Sequence, residues 1–269
     1  MNSKVILITG ISSGFGLEMA RRLSRDGHTV YGTVRRDVPH LDGVNYLRAD
    51  VRSGQDAVDA VEAVIAAEGR VDVLICNAGM GIAGPAEFSS EQEIALQIDT
   101  NFTGQVRFVK AVLPHMRERR SGRIICFSSI GGRMGLPLQS YYCASKFAIE
   151  GWCEALRMEV KGFGVDVVVI EPGDFATGFT AARVKTASDS AQTDAYPFLG
   201  RTMDRLEGEE IGGLTPDYLA GKISRIVIRR RPRCRYVISN LEQRLSVLLK
   251  TIIPDAWFSR MLRSYYKTD

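Results

Sequence analysis

Residues 4–16 read KVILITGISSGFG. The apolar run Lys4–Thr9 ends in glycines, and Phe15, Met19 and Leu23 then recur at helical spacing. A short apolar run bounded by glycine predicts a buried strand, and the spacing after it an amphipathic helix over 14–26. Between the two lies the turn Thr9-Gly10-Ile11-Ser12-Ser13-Gly14-Phe15-Gly16. Its glycines permit a tight bend and let backbone N–H groups and the positive helix end come close to a phosphate.

Working outward, the same alternation continues. His28–Val34 and Val44–Asp50 read as strands two and three, and Ser53–Glu68 as a helix with Val58, Val61 and Ile65 on one face. Val71–Asn77 is the fourth strand. Glu91–Arg117 reads as one long helix with Pro114 near its end, Arg123–Ser129 as the fifth strand, Tyr141–Gly162 as another long helix and Val165–Glu171 as the sixth strand. Residues 174–213, rich in Thr, Ser, Ala, Asp and Gly without clear period, read as a partly helical substrate lid. Pro216–Arg230 is predicted helical and Tyr236–Ser239 a last strand. Strands alternating with helices over 269 residues predict one α/β, Rossmann-like domain, a parallel sheet with helices on both faces.

Composition excludes several classes. No uninterrupted apolar stretch reaches the roughly 20 residues of a membrane helix. The five cysteines (76, 126, 143, 153 and 234) form no CxxC pair, and His28, His40 and His115 stand apart, so neither a disulfide framework nor a metal site is expected. With an opening that runs directly into a strand, this points to a reducing, cytoplasmic setting. The net charge of +4 is uneven: residues 222–267 hold twelve Lys/Arg against Glu242 and Asp255.

The end of strand two bears on the choice of nucleotide. A dinucleotide fold selective for NAD places a carboxylate there for the ribose hydroxyls. This chain reads Thr33-Val34-Arg35-Arg36 instead. An arginine fork suits a 2′-phosphate that a carboxylate would repel, so NADP(H) is the expected cofactor, with Ser12 as a further donor. The plainer reading leaves Arg35 and Arg36 as solvated loop charges. Asp50-Val51, at the end of strand three, is placed to hold the adenine edge. Asn77-Ala78-Gly79, after strand four, puts small residues where a cofactor passes closely.

Tyr142-Cys143-Ala144-Ser145-Lys146 sets a phenol and an ammonium at i and i+4 on one helix face. A phenol ionises near pH 10, and a neighbouring cation favours its phenolate. Ser129 closes strand five thirteen residues earlier, and Asn101 lies within the preceding long helix. With TGISSGFG, Asn77-Ala78-Gly79 and Pro172-Gly173, these motifs resemble the short-chain dehydrogenase/reductase family across nearly all of residues 4–178. The resemblance implies a seven-stranded parallel sheet and a dimer or tetramer through the two long helices. It implies Tyr142 as general acid/base, Lys146 as holder of the nicotinamide ribose and depressor of the Tyr142 pKa, and Ser129 as donor to the substrate oxygen. Asn101 would bend its helix to seat a relay water, and Pro172, Gly173 and Thr177 would border the nicotinamide. Ser128, by strand alternation, should face away from Ser129.

Met134-Gly135-Leu136-Pro137 and the helix that follows are most similar to the 17β-hydroxysteroid dehydrogenase branch, which implies a lipophilic ketone or alcohol such as a ketosteroid or 3-ketosphinganine-like lipid. A 3-oxoacyl-thioester reductase and a non-catalytic NADP(H) sensor remain alternatives. In the tail, Leu241, Leu245, Leu248, Leu249 and Ile252 recur at helical spacing, and Trp257, Phe258, Met261, Leu262, Tyr265 and Tyr266 follow Pro254. This basic amphipathic segment could lie on an anionic membrane surface, or pack its stripe over the domain or a partner subunit. No nucleic-acid motif accompanies Arg229-Arg230-Arg231, so no nucleic-acid partner is expected.

Overall fold

The computed structural model describes residues 3–186 and 194–268. Strands β1 (Val5–Ile8), β2 (Thr29–Val34), β3 (Val44–Arg48), β4 (Val73–Cys76), β6 (Gly122–Phe127), β7 (Val165–Pro172) and β9 (Arg235–Ile238) form one sheet. Every pairing in it is parallel, in the order β3-β2-β1-β4-β6-β7-β9. Two short strands absent from the sequence reading, β5 (Ile82–Ala83) and β8 (Val184–Lys185), pair apart from it. Helices α1 (Gly14–Arg25), α2 (Gly54–Glu68), α3 (Glu91–Ile98), α4 (Gly104–Glu118), α5 (Ser140–Val160), α6 (Leu199–Ile211), α7 (Pro216–Ile228), α8 (Leu241–Ile252) and α9 (Asp255–Tyr266) complete the domain.

Strands β1 and β4 at the middle of the sheet are apolar throughout because both sheet faces are covered. All four residues of β1 and of β4 are buried. One face packs against α2, α4 and α5 through Val61, Phe108 and Ile149, and the other against α1 and α7 through Met19, Leu23 and Ile223. Helix starts follow local chemistry. Ser53 accepts the Asp56 N–H at 3.1 Å and opens α2, and Thr215 does the same for α7 through Tyr218. The far end of α7 is held from inside the sheet: the buried Arg123 guanidinium on β6 donates to the carbonyls of Ile226, Val227 and Arg229.

The expected long helix over 91–117 is interrupted. Residues Asp99–Thr103 form a π-helical turn between α3 and α4, with Asn101 buried at its centre. Such a turn widens the backbone spiral and redirects one side chain, a change the apolar period does not reveal. Within the segment read as a lid, α6 is helical and Val184–Lys185 pairs with Ile82–Ala83, while residues 187–193 lie outside the described residues. The tail forms two helices that meet at Pro254. Its expected stripe is divided: Leu249, Phe258 and Leu262 pack inward beside Val247, and Leu241, Leu245, Leu248 and Ile252 remain exposed.

Candidate active site

The strand order reverses between β1 and β4, and at that switch point the carboxyl ends of the strands open a crevice. A cleft of about 540 Å³ occupies it. The glycine turn forms its floor. Gly10 and Gly14 take φ of +73° and +55°, which glycine adopts without a Cβ penalty. Gly16 does not line the cleft but lets α1 close on the turn, because a Cβ there would stand 2.1 Å from the Gly10 carbonyl oxygen. Ser13, the extended N-cap of α1, makes no side-chain cap, so N–H groups of the first turn are left for an anion.

The turn is tied to its neighbours by Asn77 and by Thr9 and Thr33, two residues that the motif reading did not single out for a role. Thr9 Oγ1 accepts the N–H groups of Asn77 and Ala78 at 3.0 and 3.1 Å, and Asn77 Nδ2 donates to the Thr9 and Gly10 carbonyls. Thr33 Oγ1 accepts the Gly10 N–H at 3.1 Å. At the end of β2, Arg35 and Arg36 line the same cleft as Asp50, Val51 and the small residues Ala78 and Gly79. Arg52 joins them and pairs with Asp50 at 2.6 Å, which holds that carboxyl below its usual range. Its only sequence signal was adjacency to Asp50-Val51.

Ser129, Tyr142 and Lys146 converge at the other end with Pro172, Gly173 and Thr177. Ser129 Oγ accepts the Gly131 N–H at 3.0 Å and lies 3.5 Å from the Pro172 carbonyl. Ser128 turns instead towards the helix, its Oγ 3.4 Å from the Lys146 carbonyl. The Lys146 ammonium donates to the Phe127 carbonyl at 3.0 Å and sits 5.6 Å from the centre of the Tyr142 ring. Burial pushes Lys146 down to about 8. Burial also raises the Tyr142 phenol above its ordinary range, with the Ser129 hydroxyl pulling the other way. In the chain alone, desolvation therefore outweighs any help the phenol receives from Lys146.

Asn101 stands behind this group rather than in the cleft. Its Oδ1 accepts the Met80 N–H at 2.8 Å, and its Nδ2 donates to the Met80 carbonyl and to Ser145 Oγ. The side chain thus fastens the loop after β4 to α5.

The wall beyond Tyr142 comes from distant segments. Leu136, Phe179, Leu206 and Tyr266 supply apolar surface, and Asp174 and Glu210 supply carboxyls. Arg183 and Thr180 bind Glu210, whereas Asp174 is held by Gln243 of α8. Burial, reinforced by Glu210 and Glu209, pushes Asp174 up to about 7.

The arrangement matches known proteins in sequence and in fold. The family model described as short chain dehydrogenase matches residues 4–188. A 3-ketodihydrosphingosine reductase from Bacteroides thetaiotaomicron is 44% identical over 266 residues, 99% of each chain. Human 17-beta-hydroxysteroid dehydrogenase type 1 is 44% identical over 195 residues, 66% of this chain and 59% of that protein's length. The crystal structure of a short-chain dehydrogenase from Streptomyces avermitilis superposes with a TM-score of 0.82 at 30% identity, covering 100% of this chain and 99% of that one. The chain therefore belongs to the short-chain dehydrogenase/reductase family, in a hydroxysteroid-dehydrogenase-like branch, and is an oxidoreductase of CH–OH and C=O groups.

Proposed function

We propose that this enzyme uses NADPH to reduce the ketone of a long-chain 2-amino-3-keto lipid of the 3-ketosphinganine kind. The observation that carries the reading is the 44% identity to a 3-ketodihydrosphingosine reductase along 99% of both chains. The substrate end of the cleft supports it. Glu210 is already paired with Arg183, whereas among the described residues the Asp174 carboxyl forms no ion pair and is hydrogen-bonded by the Gln243 amide, and burial makes such a carboxyl costly to ionise. An ammonium next to the ketone would supply the missing cation, while Leu136, Leu206 and Tyr266 suit an alkyl chain. A neutral steroid offers Asp174 no cation.

The phosphate preference rests on Arg35, Arg36 and Arg52 around one end of the cleft, with Asp50 neutralised by Arg52. With Arg52 taken up by Asp50, the guanidinium groups of Arg35 and Arg36 favour a 2′-phosphate, and the Asp50 carboxylate is compensated. The glycine turn and Lys146 would hold a reduced nicotinamide nucleotide, which when bound would supply the hydride for the carbonyl carbon. Ser129 Oγ orients the carbonyl oxygen and Tyr142 Oη gives it a proton. Lys146 holds the ribose and, as an ammonium, favours the phenolate that remains. Asn101 positions the Met80 loop and α5, and through them Tyr142 and Lys146. Association as a dimer or tetramer through α4 and α5 belongs to the same reading, and α5 leaves Phe147 and Met158 exposed.

The test follows NADPH oxidation with 3-ketosphinganine, its N-acylated analogue, a ketosteroid and a 3-oxoacyl thioester, with NADH for comparison. Turnover of the free amino ketone, lost on N-acylation and in Tyr142→Phe, is expected. Preference for the steroid or the thioester would overturn the substrate, and an active Tyr142→Phe would overturn the chemistry.

A further inference from the structure

A second groove, of about 620 Å³, lies on another part of the molecule between α7, β9 and α8. Seven cationic side chains line it and no carboxylate does. Two of them are answered from below: Arg133 by Glu171, and Arg235 by Glu150, Glu154 and Glu171. The other five, Lys222, Arg225, Arg229, Arg233 and Arg244, form no ion pair among the described residues. Like charges gathered around one groove repel, so the arrangement is favoured by an anion that none of the described residues lining it provides.

Beside the groove runs an apolar stripe facing solvent. Leu241, Leu245, Leu248 and Ile252 follow each other at i, i+4, i+7 and i+11 along α8, and are 80%, 53%, 54% and 68% exposed. Leu248 belongs to both features, since it also lines the groove. On α9, Trp257 and Met261 are likewise exposed, one turn apart. These are not the faces the helices use for folding, because Val247 and Phe258 pack inward against Ile130 and Met134. A surface helix normally turns its single apolar stripe to the core. Here a second stripe stays in water, the mark of an interaction surface.

We propose that this face docks on an anionic phospholipid bilayer. The leucine stripe and Trp257 would enter the boundary between headgroups and acyl chains, and lipid phosphates would settle among the groove arginines. Charge complementarity selects this occupant. A second copy of the chain would bring the same cations face to face, and a nucleic acid would answer the charge but leave the leucines in water. Tryptophan at the edge of such a patch suits the headgroup level. On their inner side the same two helices reach the catalytic cleft, α8 through the Gln243 hold on Asp174 and α9 through Tyr266, which lines it. The proposal does not depend on the substrate.

The test is flotation of the full chain with vesicles of phosphatidylcholine alone and of phosphatidylcholine mixed with phosphatidylglycerol. Binding to the anionic vesicles should exceed binding to the neutral ones at least about tenfold and fall as salt is added. The triple variant Arg225→Glu/Arg229→Glu/Arg244→Glu and, separately, Leu245→Ser/Leu248→Ser should each lose that binding. All five positions lie outside the catalytic cleft, so unchanged melting temperature and NADPH binding would show both variants to be folded. Absent binding, equal binding to both vesicles, or undiminished binding by the charge-reversed variant would overturn the proposal. So would an oligomer that the leucine variant dissociates while wild type ignores vesicles, which would identify a second copy as the occupant.

Discussion

Gln243 holds Asp174 with both ends of its amide: Oε1 accepts the Asp174 backbone N–H at 3.2 Å, and Nε2 donates to the Asp174 carboxyl. The two residues are 69 positions apart in sequence, and their contact ties α8 to the loop that follows Pro172-Gly173. The fit is close, since a Cβ on Gly173 would stand 2.0 Å from Gln243 Oε1.

Asp174 makes stability depend on pH. Its folded pKa is raised from 3.8 to about 7, so its contribution to stability is fully present below the unfolded value and is lost as pH rises towards 7. Asp174→Asn keeps an acceptor for Gln243 and removes the charge. Above about pH 7 it should be more stable than wild type, by on the order of 2–4 kcal/mol, with the gap shrinking towards about pH 5. Thermal melts across that range check this, and a gap independent of pH would contradict it.

Lys146 sets stability against function. Its folded pKa is lowered from 10.5 to about 8 by burial, so the cost of holding a buried ammonium is full below about pH 8 and is relieved as pH rises towards the unfolded value. Lys146→Met leaves the Phe127 carbonyl still bonded by Gln105 Nε2 at 3.0 Å. The variant should be more stable at neutral pH, by roughly 2–3 kcal/mol, and should lose ketone reduction. Denaturant unfolding beside turnover assays would separate the two effects.

Arg35 is the sharpest probe of the phosphate preference. Arg35→Ser should raise the KM for NADPH about tenfold or more, the loss of one charge-assisted hydrogen bond of about 1.5–3 kcal/mol, and change the NADH value little. Parallel kinetics with both nucleotides decide the matter, and an equal rise for both would remove Arg35 from phosphate recognition.

Gly16 and Gly54 make a matched pair. At Gly16 a methyl group would meet the Gly10 carbonyl at 2.1 Å and Asn77 Nδ2 at 2.7 Å, whereas at Gly54, the first residue of α2, nothing lies within 4 Å. Gly16→Ala should cost about 1–3 kcal/mol and weaken NADPH binding, while Gly54→Ala should be neutral or slightly stabilising. Melting temperatures and fluorescence titration with NADPH report both.

What the sequence by itself determined is local. Continuous apolar runs such as Val167–Ile170 announced strands covered on both faces, glycines placed the turn before α1, and a spacing of four put Tyr142 and Lys146 on one helix face. These follow from backbone period and steric freedom within a dozen residues. Tertiary structure alone decided the approach of Arg52 to Arg35 and Arg36, the Gln243 hold on Asp174, and the face on which the α8 leucines lie, and it gave the bend implied at Asn101 its π-helical form. Helical spacing shows that α8 has an apolar stripe, but whether water or protein meets that stripe depends on which surface another segment already occupies. In α8 the inward place is taken by Val247, packed against Ile130 and Met134 more than a hundred residues away in the chain, and the leucines are left outside.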